Sequence, residues 1–490
     1  MKEVLAPFLV VLGVYVALVV AVGVLAARRS GRSPDEYFLA GRGLGTGVLL
    51  MALFGTNCTA FVLVGVPALA YRDGVGTFGL NAPIVALGIP LSFWAIGVPA
   101  RRLALRLGAM TPAELYAKRL DSRAVGVVLF AIFTLYTIPY MVTAVEGAAR
   151  TLDTVTAGAV PPRAGAGLVL LVALAYTALG GMRATAWTNV LQGAVFLGFM
   201  ALAFVAIAGS MGGWSTSLAT VRAAVPGHLD AGRGGLFEPR AFASWSLAIS
   251  ATVIAFPHML VRLFTARDEE TLRRICRLYP VALVALWLPA VMIGVWGAAE
   301  FPGLEGTARD GVFGMMILRH LTPLGAALGF LAVLAAVMST LDAQLLTLGS
   351  MLTRDVLPAR AAERQVVLGR VFGGVVAVVV YLMWLVSDET IFGLASVAFS
   401  GYVTLAPLLF LGVRWERLTA AGALASLLVG NAVYFLALGN PFARGAALTP
   451  SWGGFLPVVW GFVAAVLAAL AVSLLRPAPP GTAAPPPRTP

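Results

Sequence analysis

Charge is scarce in this chain. Only 11% of its 490 residues are Asp, Glu, Lys or Arg, against about 25% in a soluble protein. No water-facing surface for two to four soluble domains can be built from so little. Lysine is almost missing, with Lys2 and Lys118 the only two. Two cysteines, Cys58 and Cys276, exclude a disulfide scaffold. Cys58 is expected inside an apolar run and Cys276 near the opposite water face, so no bridge between them is expected. The three histidines, His228, His258 and His320, have no metal-ligand spacing. Neither GxSxG nor the P-loop GxxxxGK[ST] occurs, and Gly41-Arg42-Gly43 lacks the third glycine of GxGxxG. No catalytic residue is therefore expected, and an enzyme is the poorer reading.

Apolar side chains fill the chain instead, with 60% AVILMFWYC. Runs of 18 or more apolar residues recur, and each reads as a membrane-spanning helix. The pattern predicts an all-α membrane protein with thirteen transmembrane helices, near 4–26, 44–71, 78–99, 123–150, 165–183, 186–210, 242–264, 276–299, 324–352, 366–386, 390–413, 418–437 and 454–475. The first is too long in its apolar part for a cleaved signal peptide, and Arg28, Arg29 and Arg32 follow it rather than precede it. The formal charge is +12, but the basic residues are scattered through short loops, which reads as topology rather than nucleic-acid binding. With the N-terminus outside and the C-terminus inside, 24 of the 34 basic residues fall on the inner side, as the positive-inside rule requires.

Two blocks of five spans stand out. Residues 44–211 and 242–413 are of nearly equal length, and an odd number of spans makes the second enter from the opposite side. That is the mark of an inverted-repeat secondary transporter. Around the blocks lie an extra N-terminal helix with its inner loop (1–43), an outer Gly-rich loop (212–241), two extra C-terminal helices (414–476) and a Pro/Ala/Thr-rich tail (477–490) that cannot bury a core and is expected to be disordered. Residues 312–322 are expected as a short helix at the outer surface.

The first helix of each block also looks broken. One holds Gly55-Thr56-Asn57-Cys58-Thr59 at membrane depth, and the other Phe256-Pro257-His258. Proline removes a backbone donor, and irregular backbone survives in a bilayer only where protein or a cavity surrounds it. Paired breaks at matching positions point to a midplane binding site; ordinary membrane-helix kinks are the bland alternative.

At these residues the chain resembles the sodium:solute symporters, nearest their pantothenate, monocarboxylate and proline branches. One long motif is Ala175-Tyr176-Thr177-Ala178-Leu179-Gly180-Gly181-Met182-Arg183-Ala184, continuing to Trp187-Thr188-Asn189-Val190-Leu191-Gln192. The other is Ala335-Ala336-Val337-Met338-Ser339-Thr340-Leu341-Asp342-Ala343-Gln344, running to Thr353-Arg354-Asp355. Thr111-Pro112-Ala113-Glu114-Leu115 and Phe399-Ser400-Gly401-Tyr402 also fit. The resemblance implies the leucine-transporter-type fold, with a five-plus-five inverted repeat.

It also implies a sodium site made by the carbonyls of Gly55, Cys58 and Ala336 and the hydroxyls of Ser339 and Thr340. Mid-helix hydroxyls often do no more than bond the carbonyl four residues back; the broken helix beside them favours the ion. Asn57 stands where the proline branch has an aspartate. A second ion, or an ion exit path, is expected around Asp342, Asn189, Thr185 and Thr188. Asn189 replaces an aspartate usual there, so Asp342 carries the charge, since a carboxylate at membrane depth needs a partner or a role. The alternatives for Asp342 are a wet inner vestibule or a pair with Arg183.

For the solute, position selects Thr56, Asn57, Thr59, Tyr140, Phe256, His258 and Tyr402; helix packing is the competing reading for each aromatic, and a structural role for His258. Glu146 and Arg150 are expected to pair along one helix face, and Arg262 to snorkel to the inner interface. These residues describe a sodium-coupled symporter of the cytoplasmic (inner) membrane that takes up a small organic solute, leaning to a small carboxylate such as a monocarboxylate or pantothenate. Its partners would be that solute and the lipid bilayer, with no nucleic acid and no obligatory protein partner, and sodium would be cargo rather than a catalytic cofactor. An amino acid or sugar symporter, or a membrane sensor on the same fold, is the runner-up.

Overall fold

Backbone that leaves water for lipid must satisfy its own hydrogen bonds, which helices do within a single segment. The computed structural model is accordingly helical, and an isolated bridge between Leu44 and Ala266 is the only β pairing among the described residues. It describes residues 2–28, 34–230, 232, 234–357, 362–387, 389–440 and 443–476; the tail 477–490 lies outside them.

We number the spanning helices α1 (Lys2–Arg28), α2 (Thr46–Asn57), α3 (Phe61–Asp73), α4 (Gly76–Leu107), α5 (Arg123–Val155), α6 (Pro162–Ser210), α7 (Pro239–Ala255), α8 (Pro257–Phe264), α9 (Glu269–Glu300), α10 (Pro323–Val356), α11 (Arg364–Val386), α12 (Ile391–Arg414), α13 (Ala420–Leu438) and α14 (Pro457–Leu475). Ten helices are long and apolar enough to cross a membrane, and two bent pairs add two more. The pairs are the expected ones: α2 and α3 meet at 57°, α7 and α8 at 50°. The remaining expected span, 165–183, corresponds to a shorter apolar stretch, Pro162–Ala175, inside α6. Instead of a loop after residue 183, α6 turns at Gly181, whose φ of 60° and ψ of −171° leave the helical region. A side chain there would strike Tyr37, 2.8 Å from where its Cβ would stand, so only glycine fits both the angle and the contact.

Burial ranks the helices by distance from the centre. The most apolar stretches of α10 and α12 are 83% buried, and that of α1 only 11%. α10 packs against α1, α5, α6 and α8, while α2 packs against α6, α8, α9 and α10. The two bent spans thus converge on one side of α10. Outside the bundle, Val312–His320 is a short helix as expected, and the loop 212–241 contains a helix, Trp214–Ala224, that its glycine content hid.

Candidate ion and solute site

The site begins where α2 stops. Its last turn ends at Asn57, and Cys58 is extended (φ −92°, ψ 96°) with its N–H still bonded to Phe54 O at 3.0 Å. Thr59 Oγ1 accepts the Phe61 N–H at 3.0 Å and so caps the start of α3. This leaves the terminal carbonyls of α2 without partners in their own helix, at the negative end of its dipole. They face α10. Ser339 Oγ lies 2.7 Å from Gly55 O and 2.8 Å from Ala336 O. Thr340 Oγ1 lies 3.1 Å from both Thr56 O and Ala336 O. A Cβ on residue 55 would come within 3.0 Å of Asn189 O, so glycine lets α2 sit close to α6.

Five oxygens converge here, all on residues buried from solvent and none on a carboxylate. Calcium and magnesium sites draw on carboxylates; neutral oxygens at a helix C-terminus suit a monovalent cation. Of the residues expected from sequence, Gly55, Ala336, Ser339 and Thr340 are brought together. The bonds from α10 reach Thr56 O rather than Cys58, which lies buried in the non-helical step just beyond.

In the expected second-ion group the two threonine hydroxyls turn back on their own helix. Thr185 Oγ1 donates to Met182 O at 3.0 Å, and Thr188 Oγ1 lies 3.1 Å from Ala184 O and Thr185 O, all within α6. Asn189 does reach the cage: its Nδ2 donates to Thr56 Oγ1 at 3.0 Å and to Ser339 O at 3.1 Å. Asp342 is fully buried. Its Oδ1 faces Arg262 Nη2 at 3.9 Å. Arg183 instead pairs with Glu36 at 3.0 Å. Arg262 does not snorkel to the interface. It is as buried as Asp342, because the bend before α8 carries this helix inward against α10.

A small cavity of about 30 Å³ opens beside the break. Asn57, Phe61, Tyr140, Thr252, Trp287 and Phe399 are the polar and aromatic side chains in its wall; aliphatic side chains complete it, and no charged residue lines it. Of the seven solute residues expected from sequence, only Asn57 and Tyr140 border this space. Thr56 and Thr59 are tied to the two helix ends at the break. Phe256 stacks on Tyr140 at 4.9 Å and on His258 at 5.2 Å, and meets Tyr402 edge-on at 4.9 Å. Tyr402 in turn bonds Thr137 at 2.5 Å. These rings form an aromatic layer next to the cavity rather than its lining. Phe61, Thr252, Trp287 and Phe399 were missed, since an aromatic residue or a lone threonine in an apolar helix gives no sign of which neighbour it faces. Glu146 and Arg150 do pair, and Glu146 also accepts from Trp384 Nε1 at 2.7 Å. That ties α5 to α11 and leaves them outside the cavity wall.

Two bent spans, a neutral oxygen cluster at the break of the first and a mostly apolar cavity beside it define a multi-pass secondary transporter. The chain belongs to the sodium:solute symporter family, whose model matches residues 37–430, and sodium is the ion that this family co-transports. The sodium/pantothenate symporter of Escherichia coli is 28% identical over 93% of this chain and 94% of its own length. The sodium/proline symporter of the same organism is 26% identical over 96% and 94%. The fold is shared with a sodium-coupled sialic acid symporter solved in a substrate-bound outward-open state (TM-score 0.78, 19% identity, 96% and 98% of the two chains). A nucleobase-cation-symport-1 transporter in a closed conformation is a more distant likeness (TM-score 0.58, 17% identity, 91% and 95%).

Proposed function

We propose that this chain is a sodium-driven importer of a small carboxylate in the cytoplasmic membrane, with thirteen spans, the N-terminus outside and the C-terminus inside. The oxygen cluster that joins the end of α2 to Ser339 and Thr340 carries the reading. A cation there holds α2 to α10, so sodium favours whichever conformation brings the two together. The adjacent cavity, bordered by Asn57 next to the cage residue Thr56, takes the solute. Each ligand then raises the affinity of the other by reciprocal linkage, and the two leave together on the inner side. A carboxylate suits a neutral cage, because its charge balances that of the ion in a medium of low dielectric. The segment Gly65-Val66-Pro67-Ala68-Leu69-Ala70-Tyr71, similar to the monocarboxylate and pantothenate branches, agrees. Asn189 contributes neutral donors, and Asp342 forms with Arg262 a charge pair that links α10 to α8.

The test is uptake by proteoliposomes at fixed pH and voltage, after a thermal-shift screen of carboxylates, amino acids and sugars in sodium and in potassium. An inward sodium gradient should drive accumulation of a carboxylate. Equal uptake in choline medium removes the sodium reading, and dependence on a pH gradient replaces it with protons.

A further inference from the structure

Thr252 lies three residues before the end of α7 and borders the cavity. It is 1% exposed, and its hydroxyl has no hydrogen-bond partner among the described residues. Thr77, Thr177 and Thr347 share this lack of a partner, but none of them borders this cavity. Several other buried threonines of the bundle turn back on their own helix: Thr137 Oγ1 donates to Phe133 O and Thr151 Oγ1 to Gly147 O, each at 2.7 Å. Thr252 does not, although its helix offers the same carbonyls. A buried polar group left without a partner costs free energy, and one beside a cavity calls for a ligand.

The rest of the wall limits what that ligand is. Besides Thr252, the polar groups are those of Asn57, the Tyr140 phenol and the Trp287 indole N–H; the other side chains are Phe or aliphatic. A sugar would bring several hydroxyls into a space that satisfies few of them. A zwitterionic amino acid would bring an ammonium, and no Asp or Glu lines the wall. An acid with an apolar body meets both limits: its body takes the aromatic wall, and its carboxylate accepts from neutral donors such as the Thr252 hydroxyl and the Asn57 amide. Its charge lies beside the cage, since Asn57 directly follows Thr56.

We infer that Thr252 is a solute-binding, specificity-determining residue and that the solute is a monocarboxylate with a compact apolar body, branched aliphatic or aryl. This rests on the cavity being the solute chamber of a sodium symporter, as proposed above. It adds the residue that reads the acid and excludes the hydroxylated and zwitterionic classes.

The experiment uses the full chain in proteoliposomes with 3-methylbutanoate and phenylacetate as probes, and galactose, leucine and proline for comparison. Wild type should take up the two acids with sodium and the other three poorly. Thr252→Val keeps the shape and removes the hydroxyl; it should raise the half-saturating acid concentration roughly ten- to hundredfold, as loss of one hydrogen bond to a charged group does. Thr252→Ser should recover most of that affinity. A sodium-induced thermal shift retained in Thr252→Val shows that the variant is folded and binds the ion. If Thr252→Val transports both acids like wild type, the role of Thr252 is overturned and the carboxylate reading stands. If wild type prefers galactose, leucine or proline, the solute class is overturned and sodium symport stands. If no solute is taken up in a sodium-dependent way, the function and the inference built on it both fall.

Discussion

Arg262 and Asp342 face each other at 3.9 Å, with neither side chain exposed to solvent. One is on α8, the second half of the second bent span, and the other on α10, three residues after Ser339. Taking two charges out of water is costly, and their attraction repays it only when both are present. The pair therefore couples the position of α8 to α10, the helix that carries Ser339 and Thr340.

Removing one partner leaves the other charge buried. Asp342→Asn or Arg262→Gln should each destabilise the protein by about 3–5 kcal/mol and lower sodium-driven uptake. The double variant removes both charges and should recover much of the stability. Thermal unfolding in detergent, with uptake measured beside it, checks the cycle. Additive losses in the double variant would mean that the two side chains act independently.

Thr340 offers the cleanest probe of the ion cage. Thr340→Ala removes the hydroxyl that reaches Thr56 O and Ala336 O; Thr340→Ser retains it. The alanine variant should need roughly tenfold more sodium for half-maximal uptake, about 1.4 kcal/mol of binding, and the serine variant little more than wild type. Wild-type sodium dependence in both would put the ion elsewhere.

Much of this was legible in the sequence because bilayers penalise exceptions. Gly55, Asn57 and Pro257 stand out at membrane depth, and the structure bends at both places. The hydroxyls of Ser339 and Thr340 were picked out through the family motif rather than by this rule, since a mid-helix hydroxyl alone reads as a bond to its own helix. Arg262 was misread because sequence gives depth along a helix but not the direction in which a bend turns it. Thr252, Trp287 and Phe399 carry no such mark. Each looks like packing until α5, α7, α9 and α12 are assembled around the break. A boundary between spans was expected after residue 183, but the break falls at Gly181, inside the expected span, where Tyr37, far away in sequence, leaves no room for a side chain.

Asp310, in the loop between α9 and α10, gives a pH dependence whose sign can be worked out. It is 3% exposed and accepts the Ile391 N–H at 3.2 Å, at the start of α12. Burial pushes its carboxyl up to about 7; the Ile391 bond and the charge of Arg150 oppose this, and Glu146 and Glu389 add to it. The folded state thus holds a proton that the unfolded state has released. Its contribution to stability falls as pH rises from the ordinary aspartate range to about 7, and is flat above. Asp310→Asn, which mimics the protonated form, should be the more stable protein at pH 8 and should lose that slope. Melting temperatures of the two proteins between pH 5 and 8 decide it; parallel curves would contradict the shift.

Asn189 tests whether the cage depends on neutral donors. Its Nδ2 points at Thr56 Oγ1 and Ser339 O. A backbone carbonyl can only accept, so the amide orientation is fixed by the Ser339 contact. Asn189→Asp replaces a donor by an acceptor against that carbonyl. Losing a buried hydrogen bond and leaving its partner unmet costs about 1–3 kcal/mol, and the new charge adds repulsion unless a cation lies nearby. The variant should melt lower than wild type in potassium or choline and gain more from sodium, so that the sodium-induced rise in melting temperature is larger than in wild type. Uptake should correspondingly be more sensitive to low sodium. An equal sodium shift in the two proteins would mean that residue 189 does not sense the ion, and that its bonds to Thr56 and Ser339 serve only to pack α6 against the cage.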